Sequence, residues 1–252
     1  MPSIEILAYE PTPLGTLCLR RRELLSKPGT LVTEVTLDNE FLMSSYLTES
    51  ERVLSSSGLK RAKARLPQGQ CELHVLVGGL GLGYTANEAL NCPAVTHVEV
   101  VEFLPQVINW TKNGLIPLAP KLNFAMEEAP PRMKLVHDDV YSRLTREELQ
   151  PRDDTAHIVS SRYDLIAIDV DHSPEDVLGE QSHGFYSEAG LNRAASHLNA
   201  NGVMGIWSYA EDTPLLDNMK KVFVDVEVEQ VTVFNDLINE EQTDWLFFGA
   251  RK

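Results

Sequence analysis

An open α/β sheet finished by an antiparallel hairpin, with a small N-terminal β-rich domain ahead of it, is the fold class this sequence predicts. Three observations lead there. From Cys71 onward, short apolar runs alternate with segments of helical character, as repeated β-α units of a parallel sheet do. A turn crowded with Gly78, Gly79, Gly81 and Gly83 directly follows the first of these runs. The last two strand candidates, Val226–Phe234 and Trp245–Ala250, have no helix between them, so one must run against the other.

The first part of the chain reads as β-rich. Ile4–Leu7, Leu17–Leu19 and Leu31–Phe41 are strand candidates, separated by Pro11-Thr12-Pro13-Leu14-Gly15 and by Lys27-Pro28-Gly29. Asp38-Asn39 splits the third candidate as a hairpin turn. Arg20-Arg21-Arg22 offers an anion site, with a solvated strand end as the plainer reading. Thr48 and Glu51 have the spacing of a capping box, which opens a helix through Val53, Leu54 and Leu59. Leu66-Pro67-Gln68-Gly69 then breaks the chain. Residues 1–68 are therefore expected as a β-rich domain with its linking helix, and residues 69–252 as the α/β domain.

His74–Val77 is a short apolar strand, β-branched at two of its positions. Tyr84–Leu90 follows the glycines as a helix and stops at Asn91-Cys92-Pro93. A second strand, Val95–Val101, delivers Glu102, 24 residues after Gly78. A nucleotide-binding glycine turn and the carboxylate that holds the ribose are separated by roughly 20 residues. Glycines let a ligand approach the backbone, the next helix offers unpaired N–H groups, and an acid at the next strand end accepts from two ribose hydroxyls. Tight packing of a strand against a helix is the competing reason for such glycines.

Further along, Pro105–Thr111 reads as a helix, and the proline-rich residues 117–131 as a loop with at most a short helix. Met133–Val136 is a strand ending in His137-Asp138-Asp139, Tyr141–Leu149 a helix, and residues 150–161 a surface connection. Tyr163–Ile168 is a strand ending at Asp169. Ser187–Leu198 is a helix that turns at Asn199-Ala200-Asn201-Gly202 into the strand Val203–Trp207, and Thr213–Phe223 is the last helix.

Ligands of open α/β sheets bind beyond the carboxyl ends of the strands. Glu102, Asp138 with Asp139, and Asp169 with Asp171 all stand at such ends. Any one of them serves equally well as a helix cap; three in succession suggest a site. In that reading Glu102 holds a ribose, Asp139 accepts from an adenine amine, and Asp169 lies at the reacting end of the ligand. For an amine acceptor Asp169 or Asp171 is the expected base, Asp169 the first candidate, with Asp171 the better placed to hold a cationic substrate. His172 continues that loop as a titratable group or an inert one, and Phe185 with Tyr186 forms either an aromatic wall over the site or packing against the sheet.

The balance of 37 Asp and Glu against 22 Lys and Arg, a formal charge of −15, repels phosphate backbones and argues against nucleic acid as a partner. It suits a cationic substrate, although solubility alone accounts for it. Cys18, Cys71 and Cys92 form no Cys-x-x-Cys pair and read as free thiols of a reducing, cytoplasmic compartment. Seven histidines show no metal-ligand spacing, so no metal is expected. The first ten residues lack a signal-peptide pattern, and no apolar run is long enough for a membrane span.

Taken together, Val75-Leu76-Val77-Gly78-Gly79-Leu80-Gly81-Leu82-Gly83, Val100-Val101-Glu102, Asp138-Asp139, Tyr163-Asp164-Leu165-Ile166-Ala167-Ile168-Asp169 and Phe185-Tyr186 resemble the spermidine synthase (polyamine aminopropyltransferase) family. That family shares the Rossmann-like fold of class I S-adenosylmethionine-dependent methyltransferases. The resemblance implies Glu102 on the ribose, Asp139 on the adenine and Asp169 beside an attacking amine, and it implies a homo-oligomer. The departures are specific. The family's Gly-Gly-Gly-Asp-Gly-Gly turn has Gly81 in place of its Asp, the residue that holds the ammonium of decarboxylated S-adenosylmethionine. Its Asp-Ser-Ser-Asp loop becomes Asp169-Val170-Asp171-His172. Its Asp-Glu-Phe-x-Tyr-x-Glu segment, set on Asn39-Glu40-Phe41-Leu42-Met43-Ser44-Ser45, lacks the Tyr and the final Glu. The implied activity is transfer of a methyl or related group from S-adenosylmethionine, or a related adenosyl sulfonium, to a small acceptor, a cationic amine among the candidates. The alternatives are a true aminopropyltransferase using decarboxylated S-adenosylmethionine and a non-catalytic nucleoside-binding module.

Overall fold

The computed structural model describes residues 4–146, 162–170, 173–175 and 184–252. Asp171, His172 and the expected connection at 150–161 lie outside them. Strands β1 (Ile4–Thr12), β2 (Gly15–Glu23), β3 (Leu31–Leu37) and β4 (Glu40–Ser44) form an antiparallel sheet in that order. Asp38 and Asn39 turn β3 into β4 with φ of 49° and 71°. Two left-handed central residues match the right-handed twist of a tight hairpin, and Asp and Asn are the residues that tolerate it. Leu17, Leu19 and Val35 on one face join the same core as Val75 and Val77 of the next unit. On the other face Glu34, 3% exposed, pairs with Arg20 and Arg22 at 2.9 and 2.6 Å. Burial pushes the Glu34 carboxyl up, but the two guanidinium groups outweigh it and hold it below its ordinary range. The arginine run is therefore neither an anion site nor a solvated end, because two of its cations neutralise a buried acid.

Helix α1 (Glu49–Ala64) begins where the capping box predicts, but the box is not made. The Thr48 side chain makes no cap bond, and its Oγ1 accepts from Arg52 Nε instead. α1 lies across the main sheet, with Gly58 against Leu165 and Ser55 Oγ donating to the Thr85 carbonyl at 2.6 Å.

The second sheet has seven strands: β5 (Leu73–Gly78), β6 (Val95–Glu102), β7 (Met133–His137), β8 (Tyr163–Ile168), β9 (Leu198–Ser208), β10 (Val224–Asn235) and β11 (Glu240–Ala250), in the order β10-β11-β9-β8-β5-β6-β7. The first five are mutually parallel, and β11 runs antiparallel to both β9 and β10. This is the expected open sheet with a reversed strand near one edge. Chain order reverses between β5 and β8, which opens a crevice at their carboxyl ends. Alternate strand residues feed two cores, Val75, Val77, Leu165 and Ala167 on one face and Leu76, Ile166, Ile168 and Met204 on the other.

The connecting helices are α2 (Tyr84–Asn91), α3 (Pro105–Lys112), α4 (Ala119–Glu127), α5 (Val140–Thr145), α6 (Glu188–Ala195) and α7 (Leu215–Val222). α4 is the short helix that the proline-rich residues 117–131 allowed. Its Pro120 sits in the first turn, where a missing N–H costs nothing, and its Leu122 is fully buried. α6 is shorter than the helix expected to Leu198, since Leu198 already pairs with Tyr163. The turn expected at Asn199–Gly202 falls inside β9 as an irregularity, with Asn201 left-handed at φ 64°. At the far end, the tip of the β10–β11 hairpin reaches the first sheet, where Asp236 is held by Lys27 and Tyr46. Cys18, Cys71 and Cys92 are free. Among the described residues no helix is long and apolar enough to cross a membrane.

Candidate active site

The glycine turn divides into two jobs. Gly78 ends β5 in tight packing, and a Cβ there would lie 2.9 Å from a Val140 methyl. Gly83 opens α2 at φ 88°, pressed against Leu122. Gly79 (φ 91°) and Gly81 (φ 51°) instead line a cleft beyond the strand ends. A Cβ on Gly79 would come within 2.3 Å of the Asp169 carbonyl, so only glycine lets the ends of β5 and β8 meet here. Close packing thus accounts for Gly78, Gly79 and Gly83, while Gly79 and Gly81 are the two that line the cleft.

Glu102 pins the turn. Its Oε2 accepts from Leu80 N and its Oε1 from Leu104 N, both at 2.8 Å, and the residue is 8% exposed. Burial pushes its carboxyl up, against the pull of the Leu104, Leu80, Gly81 and Phe103 amides. Glu102 faces a cleft of about 350 Å³ with apolar walls that include Leu104, Val107 and Trp110, and with Asp139 and Asp169 as further polar groups. Mostly apolar walls with a few convergent polar groups are the usual composition of a small-molecule site.

Asp139 is both the N-cap of α5 and a cleft residue. Its Oδ1 accepts from Tyr141 N at 2.9 Å and its Oδ2 from Ser142 Oγ at 2.9 Å. Asp138 faces Arg143 and Arg146, at 3.8 and 3.6 Å. Tyr186 is 7% exposed and stands behind the cleft, its hydroxyl 2.9 Å from that of Tyr141. Phe185, 1% exposed, packs on the Tyr141 ring. Asp171 and His172, expected here as well, belong to the residues outside the described set.

A second cavity, about 880 Å³, lies beyond this cleft and shares Leu42, Met43, Gly81, Asp169 and Val170 with it. Asp169 stands in the shared wall, its Oδ2 accepting from Thr85 Oγ1 at 2.5 Å. Burial pushes its carboxyl up to about 6, in spite of Thr85. Glu51 of α1 and Asp244 of β11 line the same cavity. Burial, then the charge of Asp169, pushes Glu51 up to about 8, and burial also raises Asp244. Sequence reasoning missed both. Glu51 looked like half of a capping box, and Asp244 interrupts an otherwise ordinary edge hairpin; its one signal is an acid beside the apolar run Trp245–Ala250. Among the described residues no group of three or more His, Cys, Asp or Glu side chains is arranged to hold a metal ion.

No protein-family model matches the chain, and no curated protein matches it by sequence. Solved structures do match. A spermidine synthase in complex with the transition-state analogue AdoDATO aligns over 98% of this chain and 74% of its own, with a TM-score of 0.66 and 14% identity. The Thermotoga maritima spermidine synthase aligns over 98% and 73%, at 0.64 and 13%. Human methyltransferase-like protein 13 in complex with SAH aligns over 80% and 82%, at 0.53 and 20%. The fold of this chain, small N-terminal sheet included, is the one these spermidine synthases carry, and its α/β sheet is the one they share with the methyltransferase-like protein.

Proposed function

We propose that the chain is an alkyltransferase that takes S-adenosylmethionine, or a related adenosyl sulfonium, in the 350 Å³ cleft and a small acceptor in the neighbouring cavity. The observation that carries this is Glu102, fixed by two backbone amides beside Gly79 and Gly81, in a cleft that opens past Asp169 into a second, acid-lined space. The neighbouring folds solved with AdoDATO and with SAH support the same reading. When bound, the donor supplies an alkyl carbon already activated on sulfur.

The chain's own task is then alignment and charge. Glu102 takes the ribose hydroxyls, Asp139 offers its remaining acceptor capacity to the adenine amine, and the apolar walls exclude water from the base. Asp169, held in one orientation by Thr85, draws the acceptor to the shared wall. Asp171 follows it in sequence as a second acid for the acceptor. Gly81 leaves the turn without the carboxylate that an aminopropyl ammonium needs, which favours a methyl or related group. The free thiols suit a cytoplasmic setting.

Calorimetry with S-adenosylmethionine, its decarboxylated form and methylthioadenosine, side by side, tests the proposal. Binding of the first and third is expected, with decarboxylated S-adenosylmethionine the weaker of the two sulfonium ligands. Failure of all three to bind would overturn it.

A further inference from the structure

We infer that the outer end of the β10–β11 hairpin is a hinged flap over the second cavity, held shut by a latch of Lys27, Tyr46 and Asp236; that the molecule it admits is the acceptor rests on the proposed function. β11 pairs with β9 only from Trp245 onward. Outside that stretch, residues 231–235 and 240–244 pair with each other and, among the described residues, with no other strand. A two-stranded ribbon on its own is marginally stable in water, so its position depends on what holds it from outside.

Base and tip are held very differently. At the base, α1 grips β10. Arg61 pairs with Glu227 and Glu229 at 2.8 and 3.0 Å, Arg65 with Asp225 at 3.0 Å, and Ser57 Oγ donates to Glu229 at 2.9 Å. Val231 is buried, and Val233 packs on the same core. Past Val233 the ribbon leaves that core, with Phe234 54% and Ile238 53% exposed. The side-chain bonds of Asn235 stay inside the hairpin, its Oδ1 accepting from Leu237 N and its Nδ2 donating to Gln242. Asp236 is the residue that reaches across to the first sheet. It takes both the Lys27 ammonium and the Tyr46 hydroxyl, and Lys27 also donates to Tyr46 at 2.8 Å.

The latch ties two walls of one cavity. Leu237 and Ile238 line it from the flap, and Phe41, Ser44 and Tyr46 line it from β4 and the residues that follow. The holding groups stand at the surface, the Lys27 and Asp236 side chains 45% and 36% exposed. Exposed ion pairs are weak and are screened by salt. A ribbon rooted in α1 and the core, yet tied at its tip by one such contact, opens locally without unfolding the sheet. The hinge falls at Val233 and Gln242, which face each other across the ribbon where it leaves the core. None of the flap residues lines the first cleft, so its opening admits a molecule to the second cavity while Gly81, Asp169 and Met43 keep their places in the shared wall.

The test measures access to the cavity, with the full chain and the uncharged thiol reagent N-ethylmaleimide. Ser50 lines the cavity and is 7% exposed, so a Ser50→Cys thiol reports when the space opens. Cys71→Ser and Cys92→Ser remove the natural thiols that are not buried. At low salt, adding Asp236→Asn or Lys27→Met should raise the labelling rate roughly two- to fivefold, the range for loss of a surface ion pair. With the latch intact, about 1 M sodium chloride should raise the rate by a similar factor. In either latch variant the salt should hardly change it. Equal low-salt rates with and without the latch, or a salt effect that survives its removal, overturn the inference. Should Ser50→Cys not fold, spin labels on Leu25→Cys and Glu240→Cys, both exposed, decide by their separation. A distance distribution that Asp236→Asn leaves unchanged overturns the flap. No adenosyl ligand enters either measurement, so a negative result leaves the proposed function standing, and failure of that function leaves the motion of the flap untouched.

Discussion

The carbonyl oxygen of Asp169 lies 2.3 Å from where a Cβ on Gly79 would be, and Asp169 N donates to Gly78 O at 2.9 Å. The ends of β5 and β8 therefore form one joint, and both cavities are built around it. Gly79→Ala must push that joint apart while also forcing alanine to φ 91°. A loss of about 2–4 kcal/mol in urea unfolding is expected, together with loss of adenosyl-ligand binding by calorimetry.

Under the proposed function Glu102 serves the ligand and the fold at once. Glu102→Ala should weaken methylthioadenosine by about 1.5–3 kcal/mol, as for hydrogen bonds to a charged group. It should also leave Leu80 N and Leu104 N without their acceptor, and so lower the melting temperature. Unchanged affinity in a folded variant would remove Glu102 from the site.

Glu51 predicts a pH dependence with a definite sign. Its pKa rises on folding from about 4.5 to about 8, so the stability it contributes is fully present below pH 4.5 and is lost as pH rises through 8. Asp169, raised from 3.8 to about 6, acts in the same direction over a lower window. Glu34 is depressed and acts oppositely, its contribution disappearing as pH falls below the ordinary carboxylate range. Comparing wild type with Glu51→Gln cancels the others to first order. The variant should melt higher than wild type at pH 9 and close to it at pH 4; equal melting at both would place the Glu51 carboxyl in water.

Asp169→Asn keeps the shape of the shared wall and removes a charge. Methylthioadenosine, uncharged at its thioether, should bind almost as before. Single-turnover transfer to an amine, once an acceptor is in hand, should fall by roughly 10²-fold or more, the usual consequence of a mispositioned nucleophile. A rate near that of wild type would leave Asp169 as a partner of Thr85 only.

Gly81→Asp puts a carboxylate where the turn has none. At φ 51° Asp is among the residues that tolerate the left-handed region, and the nearest obstacle is the flexible Met43 sulfur at 3.1 Å. The variant should fold, with about 1–2 kcal/mol less stability, and should shift preference toward decarboxylated S-adenosylmethionine. Competition between the two sulfonium ligands measures it.

The run from His74 to Glu102 was legible because each of its signals is local: an apolar strand, a turn that needs glycine, a short helix, and an acid at the next strand end. Asp139 and Asp169 were legible through a topological rule, since strand ends of a parallel sheet converge at the switch point. Glu51 and Asp244 were not. They stand 193 positions apart in the chain, and what brings them together is α1 lying across β8 and β9 while β11 inserts beside β9. No periodicity in either segment encodes that meeting. In the proline-rich stretch the sequence allowed a short helix without placing it, because Pro120 marks the first turn of α4 rather than a break.

The reversed strand β11 separates the two halves of the site along the chain. Every residue lining the first cleft lies between Pro13 and Val170, whereas the second cavity is finished by Trp207, Asp244 and the hairpin between them. Substitution in the last fifth of the chain can therefore reshape what the second cavity admits while the lining of the first is inherited intact. Under the proposed function, such substitutions would alter the acceptor without touching the donor cleft.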